Sequence, residues 1–377
     1  MSIPSEDRRP VGAFHRPELD VLRFVAFALV FCSHDLPSMA GVSAAGFGWA
    51  AWLAHGVRES GAYGVDLFFL LSAYLITEIL LREHVRTGTI DVPAFLLRRA
   101  LRIWPLYFAF LALAYWVVPL IYPQWFPARV ALAFVFFTGN FAWMGADPRT
   151  VAGILWSVSI EEQFYLAWPL VLRTFRHRLT AVCVLLIVVS NLARLYFVLS
   201  GSPHLEWLWF NTLTRLDPIA IGALLAIHLR GAQPVLQAWT RGGLFAGGLL
   251  LLVLSGLFFP ADRPTLLLAY PAAALASVAM FVATLGAPWP MPRVLVYLGR
   301  VSYGLYVFHM LAITITRAHI HLAPTALEWA VQFSSAFLLT VGLASLSYYT
   351  LEAPFLRLKA RQSRLGPSGD ARTQPSS

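Results

Sequence analysis

The segment Val151–Leu172 reads VAGILWSVSIEEQFYLAWPLVL, and its reading decides the class of fold. A membrane-crossing helix needs about 20 mostly apolar residues. This run has that length, yet Glu161 and Glu162 stand side by side near its middle. Two unpaired charges at that depth cost at least ~2.5 kcal/mol each. A purely structural helix has no reason to carry them, so the pair marks a functional site inside a membrane protein. One of the two is expected to be neutral, or paired with an arginine such as Arg23 or Arg215.

Composition agrees with that reading. Of 377 residues, 58% are hydrophobic and 12% are charged, against ~45–50% and ~25% in ordinary soluble domains. Mean hydropathy is +0.67. Disorder, a coiled coil, a collagen-like fibre and a secreted disulfide scaffold are excluded. Lys plus Arg number 28 and Asp plus Glu 19, giving a net charge of +9. The excess sits in short loops between apolar runs, as in the cytoplasmic loops of membrane proteins, and does not indicate nucleic acid. Cys32 and Cys183 both fall inside apolar segments, with neither metal-ligand spacing nor a disulfide framework between them. No metal site is expected.

Working outward, the candidate spans are Glu18–Leu36, Gly61–Leu81, Ala100–Ile121, Val151–Leu172, Leu179–Leu199, Trp207–Leu229, Gly242–Phe259, Pro264–Leu285, Val294–Thr316 and Leu327–Leu351. A further run, Val130–Trp143, is too short to cross. If it dips in and returns, turning around Gly139-Asn140 and Gly145, all the basic segments fall on one side, which the positive-inside rule makes cytoplasmic. The expectation is an all-α integral membrane protein of about ten transmembrane helices plus a re-entrant segment. Residues 1–16 are expected to form a cytoplasmic N-terminal segment, 17–357 the membrane domain and 358–377 a disordered cytoplasmic tail. The first apolar run is expected to be retained as a span, because no convincing signal-cleavage site follows it.

Ionisable residues in such spans are functional candidates by default. His34 lies toward one end of the first span. Asp20 and Arg23 lie toward the other end and can pair at i,i+3. Asp66 opens the second span at a depth similar to that of His34, and Gly64 and Ser72 around it suit close helix packing. Arg98, Arg99 and Arg102 precede Ile103-Trp104-Pro105 at the start of the third. They read either as positive-inside anchors or as a forked clamp for a phosphate-bearing ligand. Arg215 and Asp217 are expected to form an ion pair. Ser302, Tyr303 and His309 lie on one later span, and His319 and His321 in an exposed loop.

Six stretches together resemble one family. Leu19-Asp20-Val-Leu-Arg23-Phe, followed by His34, resembles the opening motif of the acyltransferase-3 family of membrane-bound O-acyltransferases. Gly64-Val-Asp66-Leu-Phe-Phe-Leu-Leu-Ser72 is similar to its second-span motif, and Arg98-Arg99-Ala-Leu-Arg102-Ile-Trp-Pro105 to its arginine motif. Trp156-Ser-Val-Ser-Ile-Glu161-Glu162-Gln163-Phe-Tyr165 is similar to its paired-glutamate motif. Ser302-Tyr303-Gly-Leu-Tyr306-Val-Phe-His309 and Glu352-Ala-Pro354 resemble its closing motifs. The departures are Phe24, Ala73 and Met310-Leu311, and none removes a chemically active group.

The resemblance implies a ten-span core in the bacterial cytoplasmic (inner) membrane, with both termini cytoplasmic. It implies transfer of an acyl group, by default acetyl, from a cytosolic acyl-CoA-type donor such as acetyl-CoA to a hydroxyl of a carbohydrate, glycan or small metabolite. His34 then serves as general base, with Asp66, Glu161 or Glu162 orienting its ring. Glu161 and Asp66 are accordingly placed among the catalytic groups. Arg98, Arg99 and Arg102 hold the donor, while Arg23, Glu162, Tyr303 and His309 are assigned to substrate binding. Partners are the lipid bilayer and the acceptor. The competing reading is a multi-span transporter of sugars or acidic metabolites, since membrane carboxylates, arginines and broken helices also serve that class.

Overall fold

A computed structural model describes residues 16–37, 50–144, 149–201, 206–258, 263–321 and 326–364. Most of the expected N-terminal segment, Gly145 of the expected turn, and the tail beyond residue 364 lie outside the described residues. The described chain is helical, and its one β pairing is an isolated bridge between Trp125 and Arg149.

Sixteen α-helices follow one another among the described residues, in the order α1 (Pro17–Asp35), α2 (Ala50–Gly61), α3 (Gly64–Thr87), α4 (Val92–Ala112), α5 (Val118–Ile121), α6 (Ala128–Val135), α7 (Gly139–Trp143), α8 (Leu155–Thr174), α9 (Leu179–Leu199), α10 (Glu206–Phe210), α11 (Leu216–Leu229), α12 (Ala238–Phe258), α13 (Arg263–Thr284), α14 (Arg293–Arg300), α15 (Ser302–His319) and α16 (Ala326–Ser347), the last running through a π-helical turn into α17 (Ala353–Arg364), which makes seventeen with that extension. Seven described stretches are long and apolar enough to cross a membrane: Gly64–Thr87, Val92–Ile121, Leu179–Leu199, Thr212–Leu229, Ala238–Phe258, Thr265–Thr284 and Ala326–Leu358. An eighth is counted if α14 and α15 are one span. Helices α1 and α8 have spanning length as well. Glu18, Asp20 and Arg23 in one, and Glu161-Glu162-Gln163 in the other, make them less apolar than the seven.

Several expected elements are redrawn. The third span begins at Val92 rather than Ala100, so the arginines lie two turns inside a helix. Its start is fixed locally. Gly88 closes α3 in the left-handed conformation (φ 75°), and the Asp91 side chain accepts from Ala94 N–H at 3.0 Å. The expected single span Val294–Thr316 is two helices bent by 75°. Gly299, near the bend, lies directly against the backbone carbonyl of Asp20, where any Cβ would collide. Helix α14 can therefore cross α1 in backbone contact before the chain turns. Helix α17 runs to Arg364, past residue 358 where the tail was expected to begin, and it packs on α4. Helix α2 had no expected counterpart, since its polar AAWLAHGVRESG sequence resembles no span.

Helix α1 is the element on which the site is assembled. It packs against α2, α3, α14 and α15. Gly64 permits the approach of α3, because a Cβ there would stand 2.5 Å from the Ala26 carbonyl oxygen.

The Val130–Trp143 run folds as two short helices, α6 and α7, joined at Phe137 (φ 55°). At ~1.5 Å per residue neither reaches across a bilayer. Non-helical backbone at membrane depth survives only when protein satisfies it. Here Tyr107 Oη donates to Phe134 O at 2.8 Å and Gln163 Nε2 donates to Phe137 O at 2.8 Å. Gln163 Nε2 also reaches Asn140 Oδ1 (3.0 Å), Asn140 Nδ2 donates to Phe210 O and Thr212 Oγ1 (3.0 Å each), and Thr212 Oγ1 returns to Gln163 Oε1 (2.7 Å).

Candidate active site

A cavity opens among α1, α3, α4, α8 and α15, enclosing about 810 Å³ with its open mouth included. Each helix contributes one face. From α8 come Ser157, Glu161 and Tyr165, spaced i, i+4, i+8. From α3 come Phe68, Phe69, Ser72 and Ile76; from α4, Arg99, Arg102 and Ile103; from α1, Arg23; and from the first turns of α15, Ser302, Tyr303 and Tyr306. Three guanidiniums and one carboxylate thus face a ring of hydroxyls in a wall that is otherwise apolar.

The adjacent residues Glu161, Glu162 and Gln163 point three ways, because successive helical side chains diverge by about 100°. Glu161 faces the cavity beside Ser72 and Tyr165, whose hydroxyls bond each other at 2.6 Å. Glu162 turns to α4, where its Oε2 accepts from Trp104 Nε1 at 3.0 Å and its Oε1 is buried with no partner. Gln163 holds the short helical hairpin.

The three arginines of the motif also divide. Arg99 and Arg102 line the cavity with Arg23. Arg98 instead donates to Glu83 Oε2 at 2.9 Å, and Glu83 Oε1 accepts from Asp91 N–H at 2.9 Å. Arg98 therefore locks the corner between α3 and α4. Arg23 is held by Asp20 at 3.1 Å, the pair expected from spacing. Tyr303 lines the cavity and donates to Ile103 O at 3.1 Å.

His34 stands eleven residues beyond Arg23, about 16 Å along the helix axis, and is not part of the cavity wall. Its Nδ1 is 2.9 Å from Val30 O and 3.3 Å from Ser33 Oγ. A carbonyl oxygen only accepts, so Nδ1 carries the proton and Nε2 the lone pair. The ring is therefore oriented by backbone of its own helix. Asp66, Glu161 and Glu162 are not among its partners, contrary to the expected carboxylate. The His309 ring lies 5.1 Å away, centroid to centroid, and Tyr306 touches His309 at 5.6 Å while also lining the cavity.

Two residues that sequence reasoning passed over hold the end of α1 that carries His34. One Arg317 nitrogen donates to His34 O and Asp35 O (3.2 Å each) and to Asp35 Oδ1 (3.0 Å). Arg58 donates to Leu36 O at 2.5 Å. They satisfy carbonyls that a helix end leaves open. The signal available for Arg317 was its position two turns beyond His309 on the same helix.

Asp66 belongs to a different constellation. It pairs with the fully buried Arg215 at 3.1 Å, so Arg215 does not take Asp217 as expected. Asp217 is bound instead by Arg194, with Ser190 Oγ donating to the same carboxylate oxygen at 3.1 Å. The Arg215 guanidinium lies over Trp209 (4.6 Å), Tyr270 (5.1 Å), Trp156 (5.6 Å) and Phe69 (5.9 Å). This knot ties α3, α8, α9 and α11 together behind the cavity. His319 and His321 are exposed as expected, but His319 is the last residue of α15 and only His321 lies beyond the helix.

A helical membrane protein with a cavity of arginines, a carboxylate and hydroxyls, joined by an aromatic path to a histidine, matches one class on comparison. The profile of the acyltransferase-3 family, described as an acyltransferase domain, matches residues 16–349, and the chain belongs to this family. Among its relatives is the "Peptidoglycan O-acetyltransferase OatA" of Listeria monocytogenes serovar 1/2a, 26% identical over 389 residues, covering 90% of this chain and 55% of that protein. The "O-acetyltransferase OatA" of Staphylococcus aureus (strain NCTC 8325 / PS 47) is 32% identical over 193 residues, covering 47% and 31%. A protein of Staphylococcus aureus (strain COL) provisionally named an O-acetyltransferase is 28% identical over 328 residues, covering 78% and 52%. The chain thus spans about half the length, or less, of these curated relatives. No solved structure matches.

Proposed function

We propose that the chain transfers an acyl group, by default acetyl, from a cytosolic acyl-CoA-type donor to a hydroxyl of a carbohydrate or glycan, with His34 as general base. The observation that carries this reading is the gathering of Arg23, Arg99 and Arg102 around one cavity, with His34 farther along the helix that carries Arg23. Guanidiniums bind phosphate oxygens in pairs, and the first turn of α15 faces the same space, as helix starts do in many anion sites. The phosphate-bearing end of the donor rests there. Its acyl arm extends past Glu161 and Tyr306 toward His34.

The chemistry needs few groups. His34 Nε2 takes the acceptor O–H proton while that oxygen attacks the thioester carbon. The C–S bond then breaks, and the leaving thiolate recovers the proton. Glu161 faces the same cavity as the three guanidiniums and supplies its one carboxylate to the reaction site. Asp66 is assigned to the Arg215 ion pair, and Arg98 to the corner of α3 and α4.

Ten crossings follow if α1 and α8 are added to the seven apolar stretches and the bent α14–α15 pair, with α6 and α7 as a re-entrant hairpin. Both termini and the donor then lie on the cytoplasmic side of the bacterial inner membrane, and the acyl group crosses without the nucleotide moving. Family membership favours this enzyme over a transporter. The test is mass spectrometry of glycans and metabolites from cells making either the wild type or His34→Ala. A species one acyl group heavier, present with wild type alone, supports the reaction. Identical profiles from two membrane-inserted proteins in a host rich in hydroxylated glycans contradict it.

A further inference from the structure

Resting on the reading of His34 as base, we propose that His309 is a positioning residue that receives the Nε2–H of protonated His34. His309 is completely buried. Its Nδ1 lies 2.5 Å from the Tyr306 carbonyl oxygen, which only accepts, so Nδ1 carries the proton and Nε2 the lone pair. That Nε2 is buried with no hydrogen-bond partner. Native interiors rarely leave such an acceptor unmatched, and each instance calls for an explanation.

The surroundings name the missing donor. The rings against His309 are Phe27 at 6.1 Å, Tyr306 at 5.6 Å and His34 at 5.1 Å. Phe27 has no donor. The Tyr306 hydroxyl is already engaged with Ser157 Oγ (2.7 Å) and Ile154 O (3.0 Å). His34 remains, with an interplanar angle of 61°. In the resting state its single N–H goes to Val30 O, so it has no second N–H to offer the unmatched His309 Nε2. A second N–H exists only after His34 has taken the acceptor's proton. His309 is thus matched in the proton-loaded state and unmatched before it, which is the differential interaction catalysis requires.

The charges around His34 make such a partner useful. The guanidiniums of Arg58 and Arg317 are its charged neighbours, and the Asp35 carboxylate is already held by Arg317. A third cation formed beside them gains from a neutral acceptor. The proton passes from the acceptor hydroxyl to His34 Nε2, is shared with His309 Nε2 while the C–O bond forms and the C–S bond breaks, and leaves with the thiolate. His309 is neither consumed nor acylated.

Two readouts on the full chain in bilayers test this. With ¹⁵N-histidine labelling, acidification is expected to produce one coupled N–H···N imidazole pair that is lost in both His34→Ala and His309→Gln. Absence of that coupling in the wild type overturns the proposal whatever the activity. In thiol release from acetyl-CoA with a muramyl disaccharide as probe acceptor, His309→Leu is expected to lower kcat ~10²-fold with donor KM within about twofold, and His309→Gln, which keeps an acceptor atom, to recover most of it. Wild-type kcat in His309→Leu beside an inactive His34→Ala overturns this inference alone. Full activity in His34→Ala overturns the base reading itself.

Discussion

Asp66 offers the sharpest separation of a structural from a catalytic role. Its partner Arg215 is fully buried, and the Asp66 carboxylate is the one that pairs with it, at 3.1 Å. Removing one member of a buried pair costs ~3–5 kcal/mol, whereas replacing both with apolar side chains of similar volume is often neutral or stabilising. Asp66→Leu strands Arg215 among Trp209, Tyr270, Trp156 and Phe69, and is expected to cost that full amount. At ~2.1 cal/mol/K of unfolding entropy per residue, the 377 residues give about 1.3 °C per kcal/mol, and the melting temperature in detergent falls by ~4–6 °C. Asp66→Leu combined with Arg215→Met is expected to restore most of that loss and to recover acyl transfer. The assay is fluorescence-detected thermal unfolding paired with transfer of labelled acetyl in membranes. The reasoning is refuted if the single variant melts like the wild type but is inactive. A double variant that regains its melting temperature and stays inactive refutes it equally, because Asp66 would then act on the chemistry.

The two glutamates are expected to separate just as cleanly. Glu161→Ala lowers transfer ~10²-fold, while Glu162→Gln, which still accepts from Trp104, stays within several-fold of wild type in the same assay. Arg99→Ala is expected to raise donor KM ~10-fold, as loss of a charge-assisted phosphate contact would. Arg98→Ala leaves KM alone and lowers thermal stability by up to ~1 kcal/mol, the range of a partly exposed pair, and donor titration with unfolding curves checks both. Gln163→Leu removes the donor to Phe137 O and the acceptor for Thr212 Oγ1. It is expected to cost ~1–3 kcal/mol and to expose the α6–α7 hairpin to proteolysis before the rest of the chain.

Helix positions were largely legible from apolar run length, and the site from ionisable residues that such runs should not contain. What was not legible concerns direction. Glu161 and Glu162 are equivalent in a list of intramembrane charges, and only the 100° step between them sends one to the cavity and the other to Trp104. The i, i+4, i+8 spacing of Ser157, Glu161 and Tyr165 was present in the sequence and would have named the cavity face. Long-range pairing was not present: nothing local says that Arg215 chooses Asp66 over Asp217, two residues away, or that Arg98 turns back to Glu83. The bend between α14 and α15 was hidden because Gly299 matters only once α1 lies against it.

The central claim is that a donor bound on one side of the membrane acylates an acceptor on the other by way of His34. Sealed inverted membrane vesicles carrying the protein, loaded with glycan acceptor and given radiolabelled acetyl-CoA outside, test it directly. The account predicts labelled acetyl on the lumenal glycan with wild type, no label with His34→Ala, and retained donor binding in that variant. Lumenal acetylation that survives His34→Ala, or that requires acetyl-CoA inside the vesicle, would contradict it.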